Sequence, residues 1–361
     1  MAADDLVYMR RALALARRGE GETNPNPMVG CVVVRDGRIV GEGFHARAGG
    51  PHAERLALDH AGEQARGATL YVSLEPCANY GRTGPCAPSV AAAGFRRVVV
   101  AMRDPNPLVA GRGLALLRRR GVRVEVGLLA DDARMLNEPF VTAARLERPY
   151  VLLKVGLTLD GRIATASGDS KWITSTGQRA AARALRRAHD AVLVGIGTVL
   201  HDDPLLLPRP PTRRPFTRIV LDSQLRLPPR SRLARSARRS PLIVVCHSAP
   251  ATRRRRLEAL GVRVLVIGGR GPRVPLSAAL RALRRIGIWS VMVEGGGEVL
   301  GSFLRARLFD RLVLFRAPVV LGGRGSRPAF GGPDPRRVAG AVRLRPGTAP
   351  RGAGYEVWYP R

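Results

Sequence analysis

The sequence predicts an α/β protein of two domains, and three features carry that expectation. The chain has 361 residues, past the roughly 250–300 at which a single hydrophobic core stops growing. Short apolar strand-like runs alternate with helical patterns in both halves, which gives sheets covered by helices. Glu147-Arg148-Pro149 separates a last helical pattern from a new apolar strand at Tyr150, placing the domains at 1–147 and 148–361.

The elements follow in order. Leu6, Met9, Leu13 and Ala16 recur at helical spacing, with Asp4 and Asp5 before them and Gly19 after. A Pro-rich turn at Asn24 to Pro27 follows. Asp36-Gly37 between Cys31–Arg35 and Arg38–Glu42 predicts a hairpin. Next come a helix from near His52 to Gly62, a strand Thr69–Ser73, a helix from Cys86 to about Ala93 and a strand Arg97–Met102. A further helix, a strand Val122–Leu128 and a helix closing near Arg145 complete this half. In the second half strands are expected at Tyr150–Val155, Ala191–Gly195, Arg218–Leu221, Leu242–Cys246, Val262–Ile267 and Ser290–Val293. Helices are expected at Thr176–Ala188 and Ser277–Arg285, and the Pro/Arg-rich stretch from Pro208 to Pro215 is expected as an exposed loop.

Composition excludes several classes. Hydrophobic residues make up 45% of the chain, too many for wholesale disorder. No apolar run approaches the ~20 residues of a membrane helix. The opening Met-Ala-Ala-Asp-Asp lacks a basic-then-apolar signal segment, so a cytoplasmic location is expected, with no membrane partner. Four cysteines, Cys31, Cys77, Cys86 and Cys246, are too few for a disulfide scaffold. The formal charge is +32, from 60 basic and 28 acidic residues. Only Lys154 and Lys171 are lysines, and the arginines are spread through the whole chain. That distribution reads as coding bias; a nucleic-acid footprint is a clustered stripe. The densest runs, Arg209 to Arg239 and Arg253 to Arg256, carry few aromatics for base stacking. A small-molecule substrate and no nucleic-acid partner are expected.

Chemistry concentrates at Pro51-His52-Ala53-Glu54 and at Glu75-Pro76-Cys77, with eight residues between Cys77 and Cys86. One imidazole and two thiolates are donors that zinc prefers, and three ligands leave a fourth position open for water. Zinc lowers the pKa of such a water towards ~7. Glu54, two residues after the histidine, can stand beside it without ligating and shuttle its proton to a departing amine. Singly, each residue has an ordinary reading: His52 at a helix start, Glu54 near a helix dipole, Cys77 and Cys86 as buried thiols. Together and in order they match the zinc-deaminase pattern, with a longer gap between the cysteines. Cys31 and Cys246, on apolar strands, read as core.

The block from Leu74 to Cys86 resembles the deaminase motif of the bifunctional riboflavin-biosynthesis deaminase–reductases. So do Asn26-Pro-Met-Val-Gly30, Gly43-Phe-His45 and the run from Asp104 to Gly113. The resemblance continues through Lys154 to Arg162, Ser167 to Ser175, Gly197 to Pro204 and Val293 to Ser302. It spans both halves in order. It implies an N-terminal cytidine-deaminase-like α/β/α domain and a C-terminal dihydrofolate-reductase-like α/β domain. The implied activities are zinc-dependent deamination of a diaminopyrimidinone carrying a ribosylamino 5′-phosphate, then reduction of its ribose by NADPH. Self-association is implied as well.

By that resemblance His52, Cys77 and Cys86 hold one zinc, Glu54 is the proton shuttle, and Asn26, His45, Asp104 and Asn106 contact the first substrate. Asn26 and Asn106 stand beside prolines, so turn-making is their alternative reading. Lys154, Asp202 and Glu294 match catalytic positions of the reductase, where charged groups protonate the ring oxygen and stabilise the cation that receives hydride. Ser170, Arg186, Leu206, Arg209 and Glu294 match contacts to the phosphorylated substrate; a solvated helix face is the alternative for Arg186. Gly156, Trp172, Thr198, Asp202 and Ser223 match dinucleotide contacts. So do Gly296, Gly297, Glu298, Val299, Leu300, Gly301 and Ser302, a glycine-rich run whose amides can cradle a pyrophosphate. Two positions depart from the family. Asn79 stands where a histidine is common, and Leu207 stands ahead of Arg209 where a threonine is usual. A nucleic-acid deaminase with an appended binding domain is the alternative; the Asp104–Gly113 block and the glycine-rich run argue against it.

Overall fold

Residues 3–80, 84–107 and 109–361 are described by a computed structural model, in which the chain divides into two units, 1–147 and 148–361. Gly81, Arg82 and Thr83 of the Leu74–Cys86 block and Leu108 of the Asp104–Gly113 block lie outside the described residues.

In the first unit, helix α1 (Ala3–Arg17) precedes the hairpin β1 (Gly30–Arg35) and β2 (Arg38–Phe44). Then come α2 (Ala53–Ala61), β3 (Thr69–Val72), α3 (Cys86–Ala92), β4 (Arg97–Val100), α4 (Arg112–Arg119), β5 (Arg123–Val126), α5 (Ala130–Leu136) and α6 (Glu138–Arg145). The strands form one sheet in the order β2-β1-β3-β4-β5. β1 is antiparallel to β2 and β3, and β3, β4 and β5 run parallel. Alternate residues of β1 feed two cores. Cys31 and Val33 pack with Ala53, Ala57 and Leu114; Val32 and Val34 pack with Met9, Ala12 and Leu15 of α1. This is the period-2 rule acting on a strand buried on both faces.

Helix α2 lies directly on β2. A Cβ at Gly43 would stand 2.3 Å from the Ala53 carbonyl oxygen, and one at Gly41 2.3 Å from that of Ala57. Glycine at these positions lets the helix approach and sets where its first turn, with His52 and Glu54, comes to rest. The single helix expected to close near Arg145 is two helices, α5 and α6. They part at the buried Asn137, whose side chain accepts from Met28 N at 2.7 Å and donates to Met28 O at 2.9 Å. Periodicity could not reveal this break, because its cause lies 109 residues away.

The second unit holds β6 (Tyr150–Leu157), β7 (Arg162–Ala164), α7 (Thr176–Arg187), β8 (Ala191–Gly195), α8 (Ile196–Asp202), β9 (Thr217–Leu221) and α9 (Arg232–Arg235). These are followed by β10 (Leu242–Cys246), α10 (Ala251–Ala259), β11 (Arg263–Val266), α11 (Leu276–Arg285), β12 (Ser290–Gly295) and α12 (Gly297–Arg305). The chain ends with β13 (Arg311–Arg316), β14 (Arg327–Pro328), β15 (Leu344–Gly347) and β16 (Glu356–Pro360). Among the described residues the main sheet has nine strands, ordered β11-β10-β9-β8-β12-β6-β13-β16-β15. The strands from β11 to β13 are parallel, and β16 and β15 add antiparallel strands at the end. Cores on its faces include Leu153, Leu193, Val293 and Phe303 on one side and Val192, Val194, Leu233 and Val244 on the other. Cys31 and Cys246 are both fully buried.

The sequence reading assigns no strand to β13, β15 or β16 and no helix to α8, α9 or α10. These pieces are short and several are arginine-rich, so the apolar period is too brief to register. No helix among the described residues is long and apolar enough to cross a membrane.

Candidate active sites

In the first unit the three predicted metal donors come from two helix starts and one loop. His52 caps the N-terminus of α2, Cys86 opens α3, and Cys77 lies in the loop after β3. His52 Nδ1 is 3.2 Å from Cys86 Sγ and 3.5 Å from Cys77 Sγ, and all three donor atoms lie within 4.8 Å of one another. A tetrahedral zinc with its usual Zn–N and Zn–S bonds needs N···S edges of roughly 3.5 Å, so one nitrogen and two sulfurs stand at the span such an ion requires. The Cys86 thiol and His52 hold the Cys77 thiol down at about 4 despite burial. Cys77 in turn raises His52 and pushes the Cys86 thiol well up.

Glu54 faces the same small cavity of about 240 Å³, lined also by His52, Arg55, Cys86 and Ser89. It is buried, and burial pushes its carboxyl up to about 7. Next to it, His45 Nδ1 lies 3.0 Å from Pro51 O. A carbonyl only accepts, so Nδ1 carries the hydrogen, and burial keeps the ring in its neutral form. The bare Nε2 then accepts from Asn26 Nδ2 at 3.1 Å. The His45 ring stands edge-on to His52, centroids 5.4 Å apart. The Asn26 amide is therefore oriented by a side chain, beyond the turn made by its backbone N–H to Thr23 O.

Asp104 and Asn106 share one loop, where Asp104 Oδ1 accepts from Asn106 N at 2.8 Å. Burial pushes the Asp104 carboxyl up to about 6. The sequence reading gave Glu75 no role, yet it organises this loop. Its buried carboxylate accepts from Asp104 N (3.2 Å) and Gly111 N (2.9 Å) on one oxygen, and from Gly113 N (3.0 Å) and Leu114 N (3.3 Å) on the other. A Cβ at Gly113 would stand 1.9 Å from Pro76 O, so only glycine lets α4 approach the metal-type loop this closely. An acidic residue beside Pro76 in an otherwise apolar stretch was the one available signal.

In the second unit a cavity of about 1800 Å³ is lined by residues from β6, α7, α8, β12, α12 and the loops between them. Lys154 on β6 lies 3.9 Å from Glu294 at the end of β12. Arg186 binds Glu294 through both Nε and Nη2, the latter at 2.9 Å, and its Nη1 donates to Leu207 O at 2.8 Å. Arg186 thus points inward from α7, not onto a solvated face. Burial pushes the Glu294 carboxyl up, but Arg186 and Lys154 outweigh it and hold the group below its ordinary value. Burial lowers Lys154 against the pull of Glu294. Asp202 ends α8, 3.9 Å from Lys171 Nζ. Leu206 follows in left-handed conformation, φ 56°, although buried. That costs a non-glycine residue about 1–2 kcal/mol, and such strain clusters where backbone direction matters. Leu207 takes part through its carbonyl, which any residue supplies.

Of the other predicted positions, Gly156, Ser170, Trp172, Thr198, Arg209, Gly296, Gly297, Glu298, Val299 and Leu300 line this cavity. Gly296 caps α12, so the first amides of that helix open there. Ser223, Gly301 and Ser302 stand outside the lining. Ser223 Oγ accepts from Val274 N at 3.2 Å, Gly301 packs against Gly331 O, and Ser302 Oγ donates to Glu298 O at 2.7 Å.

Comparison with known proteins fits both sites. The profile described as cytidine and deoxycytidylate deaminase zinc-binding region matches residues 2–102, and that of the RibD C-terminal domain matches 149–348. The riboflavin biosynthesis protein RibD of Aquifex aeolicus is 47% identical over 88% of this chain and 88% of its own. The chain belongs to the bifunctional riboflavin-biosynthesis deaminase–reductase family. The RibD of Escherichia coli is 44% identical over 88% of this chain and 89% of its own. Among solved structures, RibD of Acinetobacter baumannii superposes with a TM-score of 0.88 at 38% identity, covering 99% of both chains. A Thermotoga maritima protein titled a diaminohydroxyphosphoribosylaminopyrimidine deaminase/5-amino-6-(5-phosphoribosylamino)uracil reductase superposes at 0.86 with 35% identity, again over 99% of both. The first unit is thus a cytidine-deaminase-like domain of a zinc-binding family, and the second a dihydrofolate-reductase-like reductase domain. The alternative of a nucleic-acid deaminase is not favoured.

Proposed function

We propose that the first domain deaminates 2,5-diamino-6-ribosylamino-4(3H)-pyrimidinone 5′-phosphate, and that the second reduces the ribosyl chain of the product to the ribityl chain. The observation that carries this reading is the pair of sites on one chain: an N,S,S donor triad beside a buried carboxyl, and a large cavity with paired charges. His52, Cys77 and Cys86 would hold zinc, which when bound lowers the pKa of water enough for attack near neutral pH. Glu54, whose pKa of about 7 suits both taking and giving a proton, carries one from the attacking water to the leaving amine, so water oxygen replaces nitrogen and ammonia departs. Asn26, held by His45, offers its carbonyl oxygen to a donor on the base. Asp104 and Asn106 complete the contacts on the loop that Glu75 braces.

In the second domain the cavity would hold NADPH, which when bound would supply the hydride for the sugar carbon. Gly156, Trp172, Thr198, Asp202 and Gly296 to Leu300 line the cavity that would take it, whereas Ser223, Gly301 and Ser302 stand outside that lining. Ser170 and Arg209 serve the substrate phosphate and Leu206 contacts the substrate, while Arg186, expected at the phosphate, instead holds Glu294 and the Leu207 carbonyl. Opening of the ribose ring needs one proton delivered to its oxygen and a cation stabilised, and Lys154, Asp202 and Glu294 are the groups placed for it. The cavity exceeds the roughly 300–1,000 Å³ of a single small-ligand site, which suits a dinucleotide and a substrate together. We further propose a cytoplasmic homo-oligomer acting on small molecules, without nucleic-acid or membrane partners.

The test is mass spectrometry of products from the pyrimidinone ribosyl phosphate with NADPH, with and without a zinc chelator. Exchange of one amine for oxygen followed by gain of two hydrogens is expected, with both changes stopped by chelation. Reduction without prior deamination would overturn the proposed order.

A further inference from the structure

Both lysines of this chain line the reductase cavity, against ten of its 58 arginines. A composition that has replaced lysine by arginine almost everywhere leaves lysine where a guanidinium does not serve. Lys154 is accounted for by Glu294. Lys171 has no assigned role, and its side chain is 57% exposed, the kind of position where arginine is otherwise used throughout this chain.

We propose that Lys171 is a positioning residue of the reductase centre, whose ammonium orients the Asp202 carboxylate without occupying it. Lys171 Nζ lies 3.9 Å from Asp202 Oδ1, close enough for attraction and too far for a hydrogen bond. That oxygen is buried, and no hydrogen-bond donor among the described residues reaches it. Its lone pairs therefore stay unfilled, and the Asp202 side chain, 31% exposed, lines the cavity that would take the substrate and the nucleotide. Arg186 shows what a guanidinium does in the same cavity: its planar fork takes both oxygens of Glu294. An arginine at position 171 would be drawn to Asp202 in the same way and would fill the lone pairs that the substrate needs. A compact ammonium on a flexible stem gives charge without that capture.

The inference rests on the placement of Asp202 in the reductase centre, and the experiment separates the two. Reduction of supplied deaminated substrate is measured for Lys171→Met, Lys171→Arg, Asp202→Asn and the double variant Lys171→Met/Asp202→Asn, in the full chain. Deamination by the same molecules and the thermal midpoint report folding. Both Lys171 variants are expected to lose at least tenfold in kcat, with KM for NADPH and for substrate within threefold. The double variant is expected to be no slower than Asp202→Asn alone, since Lys171 acts through Asp202. Lys171→Arg within twofold of the parent would overturn the requirement for an ammonium, and it carries the test by itself if Lys171→Met does not fold. A rise in either KM at unchanged kcat would overturn the role through Asp202 and make Lys171 a direct anion contact. An inactive Asp202→Asn beside a fully active Lys171→Met would overturn this inference alone. A fully active Asp202→Asn would overturn the placement of Asp202, and this inference with it.

Discussion

Glu54 and Glu294 are both largely buried carboxyls that line a candidate site, and their surroundings send them in opposite directions. Around Glu54 no cation outweighs desolvation, and its carboxyl rises to about 7. Around Glu294 the desolvation is outweighed by Arg186 and Lys154, and the group stays an anion. Burial sets the cost of a charge in both places; the partner decides whether it is met. A carboxyl poised near neutrality suits moving protons, whereas one locked to a guanidinium suits holding a cation in place. The two sites also differ in how they are held. The first is a pocket of about 240 Å³ braced by backbone amides on Glu75. The second is several times larger and braced by ion pairs between side chains.

The largest expected effect removes the movable proton. Glu54→Gln should cut deamination by about 10²–10⁴-fold while retaining zinc by elemental analysis and reducing supplied intermediate at the parental rate; a variant that deaminates normally would end the shuttle assignment. The same substitution has a pH signature in metal-free protein. A carboxyl raised from 4.5 to about 7 on folding leaves stability intact below pH 4.5, and stability is lost as pH rises through about 7. The total is on the order of 3 kcal/mol. The thermal midpoint of the parent should fall over that window by more than that of Glu54→Gln, and parallel curves would refute the shift.

Breaking the other carboxyl should look different. Glu294→Gln leaves the Arg186 guanidinium and the Lys154 ammonium buried without their anion, a loss of about 3–5 kcal/mol for a broken buried pair. Reduction should fall at least 100-fold, and the unfolding transition of the second domain should move down while that of the first stays. Calorimetry showing no shift would mean that Glu294 does not anchor the site.

The smallest effect concerns the brace. Glu75→Gln keeps one oxygen but turns an NH₂ towards two of the four backbone amides. The Asp104–Asn106 loop should loosen, raising KM for deamination about tenfold at nearly constant kcat and full zinc content. Zinc loss at unchanged KM would show that Glu75 serves Cys77 rather than the substrate loop.

The alternation of strands and helices could be read from the sequence because it depends on local period and on turn residues such as Asp36-Gly37. The three donors and Glu54 could be read because helix starts and a loop place them at recognisable spacings. Glu75 could not, since its value lies in four amides contributed by a loop and the start of α4, 29 to 39 residues later. Arg186 was expected at a phosphate or on a solvated face; its bidentate hold on Glu294, 108 residues on, depends on how α7 lies beside β12. The break at Asn137 and the antiparallel end strands β15 and β16 depend on distant partners in the same way.

By itself, then, the sequence determined the kinds of groups available: an N,S,S donor set, a nearby carboxyl, a glycine-rich helix start and two lone lysines. Only the tertiary structure decided their states, because a carboxyl's charge and a guanidinium's freedom depend on burial and on the nearest opposite charge. Neither quantity is a property of neighbours along the chain.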